Sequence, residues 1–137
     1  MKKVLFICQA NIGRSQIAEA FYNHYSKGKY AISAGVDDVG EKYNFTPTPH
    51  VFEVMSEKGI DITGQKIKPL NQEIIDEIDE IVVLCSSEIV PEYIKNSSKK
   101  VIYNEILDPY QRSYEELRQI RDEIEALVLK MIASQDS

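Results

Sequence analysis

Val4-Leu5-Phe6-Ile7-Cys8-Gln9-Ala10-Asn11-Ile12-Gly13-Arg14-Ser15 carries a cysteine out of an apolar run and into a short polar loop, and Gln16-Ile17-Ala18-Glu19-Ala20-Phe21 then resumes with apolar residues at helical spacing. Four apolar residues before Cys8 read as a parallel strand buried on both faces. Cys8 is therefore expected at the carboxyl end of a first strand, in a loop that opens a helix. A helix N-terminus carries unsatisfied N–H donors and about half a positive charge, so a thiolate or an oxyanion is favoured there. Arg14 adds a fixed cation whose planar fork suits a phosphate-like group. A buried structural cysteine with an unrelated surface arginine is the alternative, since free cysteine is among the most buried residue types. The order strand, Gly-containing loop, helix favours a site.

Working outward, strands are predicted near 2–7, 30–34, 80–85 and 100–103, and helices near 14–27, 49–58, 71–78, 87–95 and 113–133. This alternation predicts an α/β three-layer sandwich: a four-stranded parallel sheet with helices on both faces and the anion loop after the first strand. Thr48-Pro49 marks one helix start and Gly59 its end. Ser113 with Glu116 predicts a capping box for the last helix, whose Leu117, Ile120, Ile124, Leu127 and Met131 form an apolar stripe. At 137 residues, without linker, repeat or low-complexity tract, residues 1–137 are expected to form one domain.

A net charge of −6 argues against nucleic-acid or membrane partners. The longest apolar runs are strand-length, and Met1-Lys2-Lys3 leads into a strand rather than a signal peptide. Two cysteines far apart in sequence do not make a secreted disulfide framework. A cytoplasmic protein is expected. His24 and His50 read as solvated or capping residues, neither having a metal-ligand partner at suitable spacing, so no metal or cofactor is expected.

Cys8 through Arg14 and Ser15, with Asp108-Pro109-Tyr110 near the other end, resembles the low-molecular-weight protein tyrosine phosphatases and the arsenate reductases that share their fold. Ser33-Ala34-Gly35, Gly59-Ile60-Asp61-Ile62-Thr63-Gly64 and Ile81-Val82-Val83-Leu84-Cys85 extend the resemblance over nearly the whole chain. It implies that Cys8 attacks phosphorus and forms a phosphocysteine, that Arg14 holds the equatorial oxygens, and that Asp108 protonates the leaving group and later activates water. Gln9, Ala10, Asn11, Ile12, Gly13 and Ser15 would surround the anion, Ser15 also donating to the Cys8 thiolate, with a plain helix N-terminal serine as the alternative. Asn11 stands where the loop needs a left-handed backbone and Gly13 where the chain approaches a ligand closely. Tyr110 would be an aromatic wall, with Tyr43 and Phe45 as candidates for the opposite one. For Asp108 a turn-forming Asp-Pro is the plain alternative.

Several residues depart from the phosphatase pattern. Gly13 stands where phosphatases usually carry a second cysteine and Gln16 where they carry proline, both leaning toward the reductases, and Gln65-Lys66-Ile67-Lys68 likewise stands where phosphatases often show His-x-Ala-Arg. Cys85 matches the second redox cysteine of the reductases, but it also reads as a small core residue. The third redox cysteine is absent from Ser86-Ser87-Glu88-Ile89-Val90-Pro91-Glu92. An intramolecular three-cysteine relay is then impossible, and arsenate reduction would need thioredoxin, glutaredoxin or a small thiol as partner. Asn11, Glu19, Ser33 and Asp61 resemble residues that hold a monovalent cation in some reductases. The expected function is hydrolysis of aryl phosphate monoesters, phosphotyrosine proteins or small aryl phosphates. A thiol-dependent arsenate reductase is the alternative, and a non-catalytic phosphate or phosphoprotein binder a third.

Overall fold

The computed structural model describes residues 2–28 and 30–135; Met1 of the Met1-Lys2-Lys3 lead lies outside them. Five strand residues, β1 (Val4–Cys8), are all buried, as an apolar run in a central parallel strand must be. β2 (Ala31–Gly35), β3 (Glu80–Val83) and β4 (Lys100–Tyr103) complete a parallel sheet in the order β2-β1-β3-β4. Val4, Leu5, Phe6 and Ile7 face Ala31, Ile32, Ser33 and Ala34 on one side and Glu80, Ile81, Val82 and Val83 on the other. β1 is thereby locked from both edges, and the loop that follows Cys8 is anchored at the centre of the sheet.

The two sheet faces are covered by different helices. Val4, Phe6 and Val82 pack with α1 (Arg14–Ser26), α2 (Pro49–Ser56) and α5 (Tyr114–Gln135). Leu5, Ile7, Ile81 and Val83 pack with Ile75 of α3 (Gln72–Asp76) and Ile94 of α4 (Glu92–Lys95). This is the three-layer sandwich read from the alternation of elements.

The differences from the expected boundaries have physical causes. The helix predicted over 87–95 is broken into a 3₁₀ turn, Ser87–Ile89, and α4, because Pro91 lacks an N–H and pushes Val90 out of the helical region to φ −76°, ψ 130°. β3 ends at Val83 rather than 85: the Leu84 N–H still bonds Ile7, but its carbonyl leaves the ladder to accept from Ile106 N–H and from Arg14. α2 closes where Gly59 N–H bonds Ser56 and Ile60 N–H bonds Met55. The capping box forms, Ser113 Oγ accepting from Glu116 N–H at 3.1 Å and Glu116 Oε1 from Ser113 N–H at 3.3 Å. Of the predicted stripe, Leu117, Ile120 and Ile124 are buried, Leu127 and Met131 lie at its margin, and Val128 is a buried member that the stripe omitted.

α5 is fastened to the end of α2 by charge. The Glu57 carboxylate accepts from Arg118 Nε and NH2 (3.1 and 2.9 Å) and from Arg121 NH1 (2.5 Å), and Arg121 is itself buried and bonded to the Val54 carbonyl. Hydrogen bonds from Arg118 and then Arg121 pull Glu57 from the usual carboxylate range to about 2. A depressed folded-state value stabilises the fold above pH 4.5, and that contribution is lost as pH falls toward 2. Glu57→Gln is expected to lower the melting temperature at neutral pH and to make its decline between pH 4.5 and 2 shallower; a calorimetric pH series that runs parallel to the parent's would show the pair to be idle.

Candidate active site

The loop after β1 bends because Asn11 adopts φ 59°, the left-handed conformation that asparagine tolerates. Its shape is imposed from beneath. Val36 N–H bonds the Cys8 carbonyl at 3.0 Å and Asp37 N–H the Gln9 carbonyl at 2.8 Å. Gly35, at the end of β2, lies so close that a Cβ there would stand 2.8 Å from the Ala10 carbonyl carbon and 2.9 Å from Asn11 N. Ser33-Ala34-Gly35 is thus a seat for the loop.

Cys8 is 2 % exposed, and its Sγ lies 2.9 Å from Ser15 Oγ, at the start of α1. Asn11 Nδ2 donates to the same hydroxyl at 2.7 Å. Arg14, 6 % exposed, donates from NH1 to the Leu84 carbonyl at 3.2 Å and the Ile106 carbonyl at 2.8 Å, so the guanidinium is fixed before any anion arrives. Its NH2 is 3.9 Å from Asp108 Oδ2. The Asp108 carboxylate is oriented in turn by the Tyr110 N–H, 3.0 Å from Oδ1, and the Asp108 carbonyl accepts from Arg112 Nε at 2.8 Å.

Cys8, Arg14 and Asp108 meet in one cavity of about 530 Å³. Its floor is Cys8, Gln9, Ala10, Ile12, Gly13 and Arg14, and its rim includes Asp108, Pro109 and Tyr110. Residues more than ninety positions apart in the sequence are thus brought to one mouth at the carboxyl end of the sheet, where parallel sheets bind ligands. A fixed guanidinium over a loop of backbone donors is suited to a tetrahedral oxyanion. The thiol lies at its base and the carboxyl at its rim, an arrangement that permits attack on one side of such a centre and proton delivery on the other.

Some expected placements differ. Asn11 and Ser15 do not border the cavity: both are fully buried, with their side chains bonded to each other and Ser15 Oγ against Cys8. The near neighbour of Gly13 is Pro109, whose Cγ would be 3.1 Å from an added Cβ, so the missing side chain admits the Asp108 loop as well as any ligand. Tyr43 lines the cavity, whereas Phe45 is absent from its wall and packs against Gly40. Tyr110 is at the rim and 69 % exposed.

Asp37, Lys42 and His50 were missed as cavity residues. Asp37 follows the carboxyl end of β2 and receives a bond from Gln9 Nε2 at 3.2 Å, so the strand-end rule could have found it. His50, on the first turn of α2, packs its ring on Tyr114 with centroids 4.8 Å apart; nothing in its sequence neighbourhood signals this. Among the residues compared with a cation site, Glu19 accepts from Ser33 Oγ at 2.7 Å and lies 3.8 Å from Lys68 Nζ, which already supplies a positive charge there, while Asp61 is engaged with Thr63. Burial draws the Lys68 ammonium below the lysine range, with Glu19 opposing.

Cys85 is also buried, at 3 % exposure. Burial first, and then the neighbouring Cys8, push its thiol up to about 11, with Arg14 opposing. No helix among the described residues is long and apolar enough to cross a membrane.

Residues 3–136 match the model of the low molecular weight phosphotyrosine protein phosphatase family. A glutaredoxin arsenate reductase from Synechocystis sp. is 33 % identical over 97 % of this chain and 98 % of its own. A mutant of YwlE from Bacillus subtilis has the same fold, with a TM-score of 0.86 at 24 % identity over the full length of both chains. An arsenate reductase solved in its phosphate-binding state superposes with a TM-score of 0.80, 30 % identity and 98 % of each chain covered.

Proposed function

Because the chain belongs to the low molecular weight phosphotyrosine protein phosphatase family, we propose that it hydrolyses aryl phosphate monoesters, phosphotyrosine among them, through a phosphocysteine. The observation that supports this reading best is the meeting of Cys8, Arg14 and Asp108 in one cavity, with Arg14 fixed by two carbonyls and Asp108 3.9 Å from it. The Cys8 thiolate attacks phosphorus as the ester P–O bond breaks, and Asp108 gives its proton to the departing oxygen. Water then attacks the phosphocysteine, Asp108 takes a proton from it, the S–P bond breaks, and inorganic phosphate and the thiolate are regenerated. Arg14 and the loop amides meet the charge that develops on the equatorial oxygens without having to reorganise. Ile12, Tyr43 and Tyr110 offer apolar and aromatic contact to a ring beyond the phosphate.

A second reading, arsenate reduction with an external thiol or a glutaredoxin-like partner, is favoured by the Synechocystis relative and by Cys85 lying near enough to Cys8 to feel its charge. Its weakness is chemical: disulfide exchange requires a thiolate, and a buried thiol pushed up to about 11 is nearly all protonated at neutral pH.

Assaying one preparation for p-nitrophenyl phosphate hydrolysis and for arsenate reduction with thioredoxin, glutaredoxin and small thiols separates the two. Hydrolysis that survives Cys85→Ser within about twofold, with no arsenite formed, is expected. Arsenite production that depends on Cys85 would overturn the phosphatase reading.

A further inference from the structure

Gln16 and Gln65 stand outside the cavity and take no part in the chemistry described, yet both are tied to the nucleophile by a directed chain of hydrogen bonds. Gln65 Nε2 donates to Gln16 Oε1 at 2.7 Å. Gln16 Nε2 donates to Asn11 Oδ1 at 3.0 Å. Asn11 Nδ2 donates to Ser15 Oγ at 2.7 Å, and Ser15 Oγ lies 2.9 Å from Cys8 Sγ.

Amide orientation is settled at every link by a backbone group whose role is not interchangeable. Asn11 Oδ1 also accepts from the Lys68 N–H at 2.8 Å, so its nitrogen must face Ser15. Gln16 Nε2 also donates to the carbonyls of Asn11 (2.9 Å) and Lys66 (2.8 Å), so its oxygen must face Gln65. Gln65 Nε2 also donates to the Gln16 carbonyl at 3.1 Å. Toward a Cys8 thiolate, which can only accept, the Ser15 hydroxyl, with one lone pair receiving Asn11, donates its own proton. All four dipoles therefore point the same way, and in a water-poor interior such chains polarise one another.

We propose that Gln16 and Gln65 are positioning residues that polarise the Asn11–Ser15 pair and so strengthen the hydrogen bond that holds Cys8 as a thiolate. Gln16 fills the place where the phosphatase pattern has proline, a residue with no side-chain donor, so that pattern could not form this link. It links the loop to residues 65–68, which are remote from Cys8 in sequence. The proposal rests on Cys8 acting as a thiolate, but its test does not require turnover.

The test is the pH dependence of Cys8 alkylation by iodoacetamide, followed by mass spectrometry of the Cys8 peptide so that Cys85 does not interfere. Gln16→Leu is expected to raise the midpoint by about half a pH unit, a roughly threefold slower alkylation well below the midpoint, and Gln65→Leu by a few tenths of a unit. Because the residues act in series, the double variant should shift no further than Gln16→Leu alone. Melting curves establish that each variant folds, and half-buried Gln65 decides the matter if Gln16→Leu does not. Midpoints equal to the parent's, or single shifts that simply add, would overturn the proposal. A parent protein that fails to hydrolyse p-nitrophenyl phosphate yet shows these shifts would reject the phosphatase reading and leave the chain of amides standing.

Discussion

Cys8→Ser is expected to reduce p-nitrophenyl phosphate hydrolysis by about 10⁴-fold or more while leaving the fold and phosphate binding intact. A serine hydroxyl in the same place stays protonated at neutral pH and has no adjacent base: Ser15, the group that touches Sγ, already accepts from Asn11. Losses of this size are usual when a nucleophile is removed, and 10⁴ corresponds to about 5.5 kcal/mol of transition-state stabilisation. The loop does not depend on the sulfur for its shape. That comes from Asn11 at φ 59°, from the Val36 and Asp37 N–H groups, and from the close approach of Gly35. Equilibrium binding of phosphate, measured by calorimetry, should therefore change little. A variant that still turned over at a tenth of the parent rate would remove Cys8 from the mechanism. A parent protein that binds phosphate but neither hydrolyses the ester nor reduces arsenate would be a binder, the third class that the sequence left open.

The fold was legible because its signals are local. The Val4–Ile7 run, the turn at Asn11, the Thr48-Pro49 start and the Ser113–Glu116 box each depend on the residues that form them, and each occurs where the sequence places it. The helix predicted over 87–95 failed at its own Pro91, but the end of β3 failed because a backbone group is captured from elsewhere. The Leu84 carbonyl leaves its ladder for Arg14 and Ile106, which no pattern within 80–85 announces. The site divides in the same way. Cys8 and Arg14 were read from one loop, and Asp108 through resemblance; that the three share a cavity is a tertiary fact. So are the choice of Tyr43 over Phe45 as a wall, the position of His50, and the burial that keeps the Cys85 thiol protonated. Asn11 is the instructive case. Its left-handed backbone could be read from the loop, but the partners of its side chain could not: the Lys68 N–H, 57 residues away, holds Asn11 Oδ1 beneath the loop.

Asp108→Asn is expected to slow hydrolysis of phenyl phosphate by about a hundredfold or more, the usual contribution of a positioned general acid, and to do so in proportion to the basicity of the leaving group. Tyr110 N–H holds one carboxyl oxygen, so the other is presented toward Arg14 and hence toward the anion loop. Asparagine keeps the acceptor for Tyr110 N–H and the size of the side chain, and loses the transferable proton. A phenolate that leaves readily does not need that proton. The loss should therefore shrink when the substrate is 2,4-dinitrophenyl phosphate, whereas KM should move little, because the equatorial oxygens are held by Arg14 and the loop. An equal loss on both esters would assign Asp108 to positioning, through its bonds to Tyr110 and Arg112, instead of to proton transfer. An unchanged rate on both would make Asp108-Pro109 a turn and nothing more. The dependence on leaving group, which a displaced loop would not reproduce, ties the 3.9 Å juxtaposition of Asp108 and Arg14 to the chemistry.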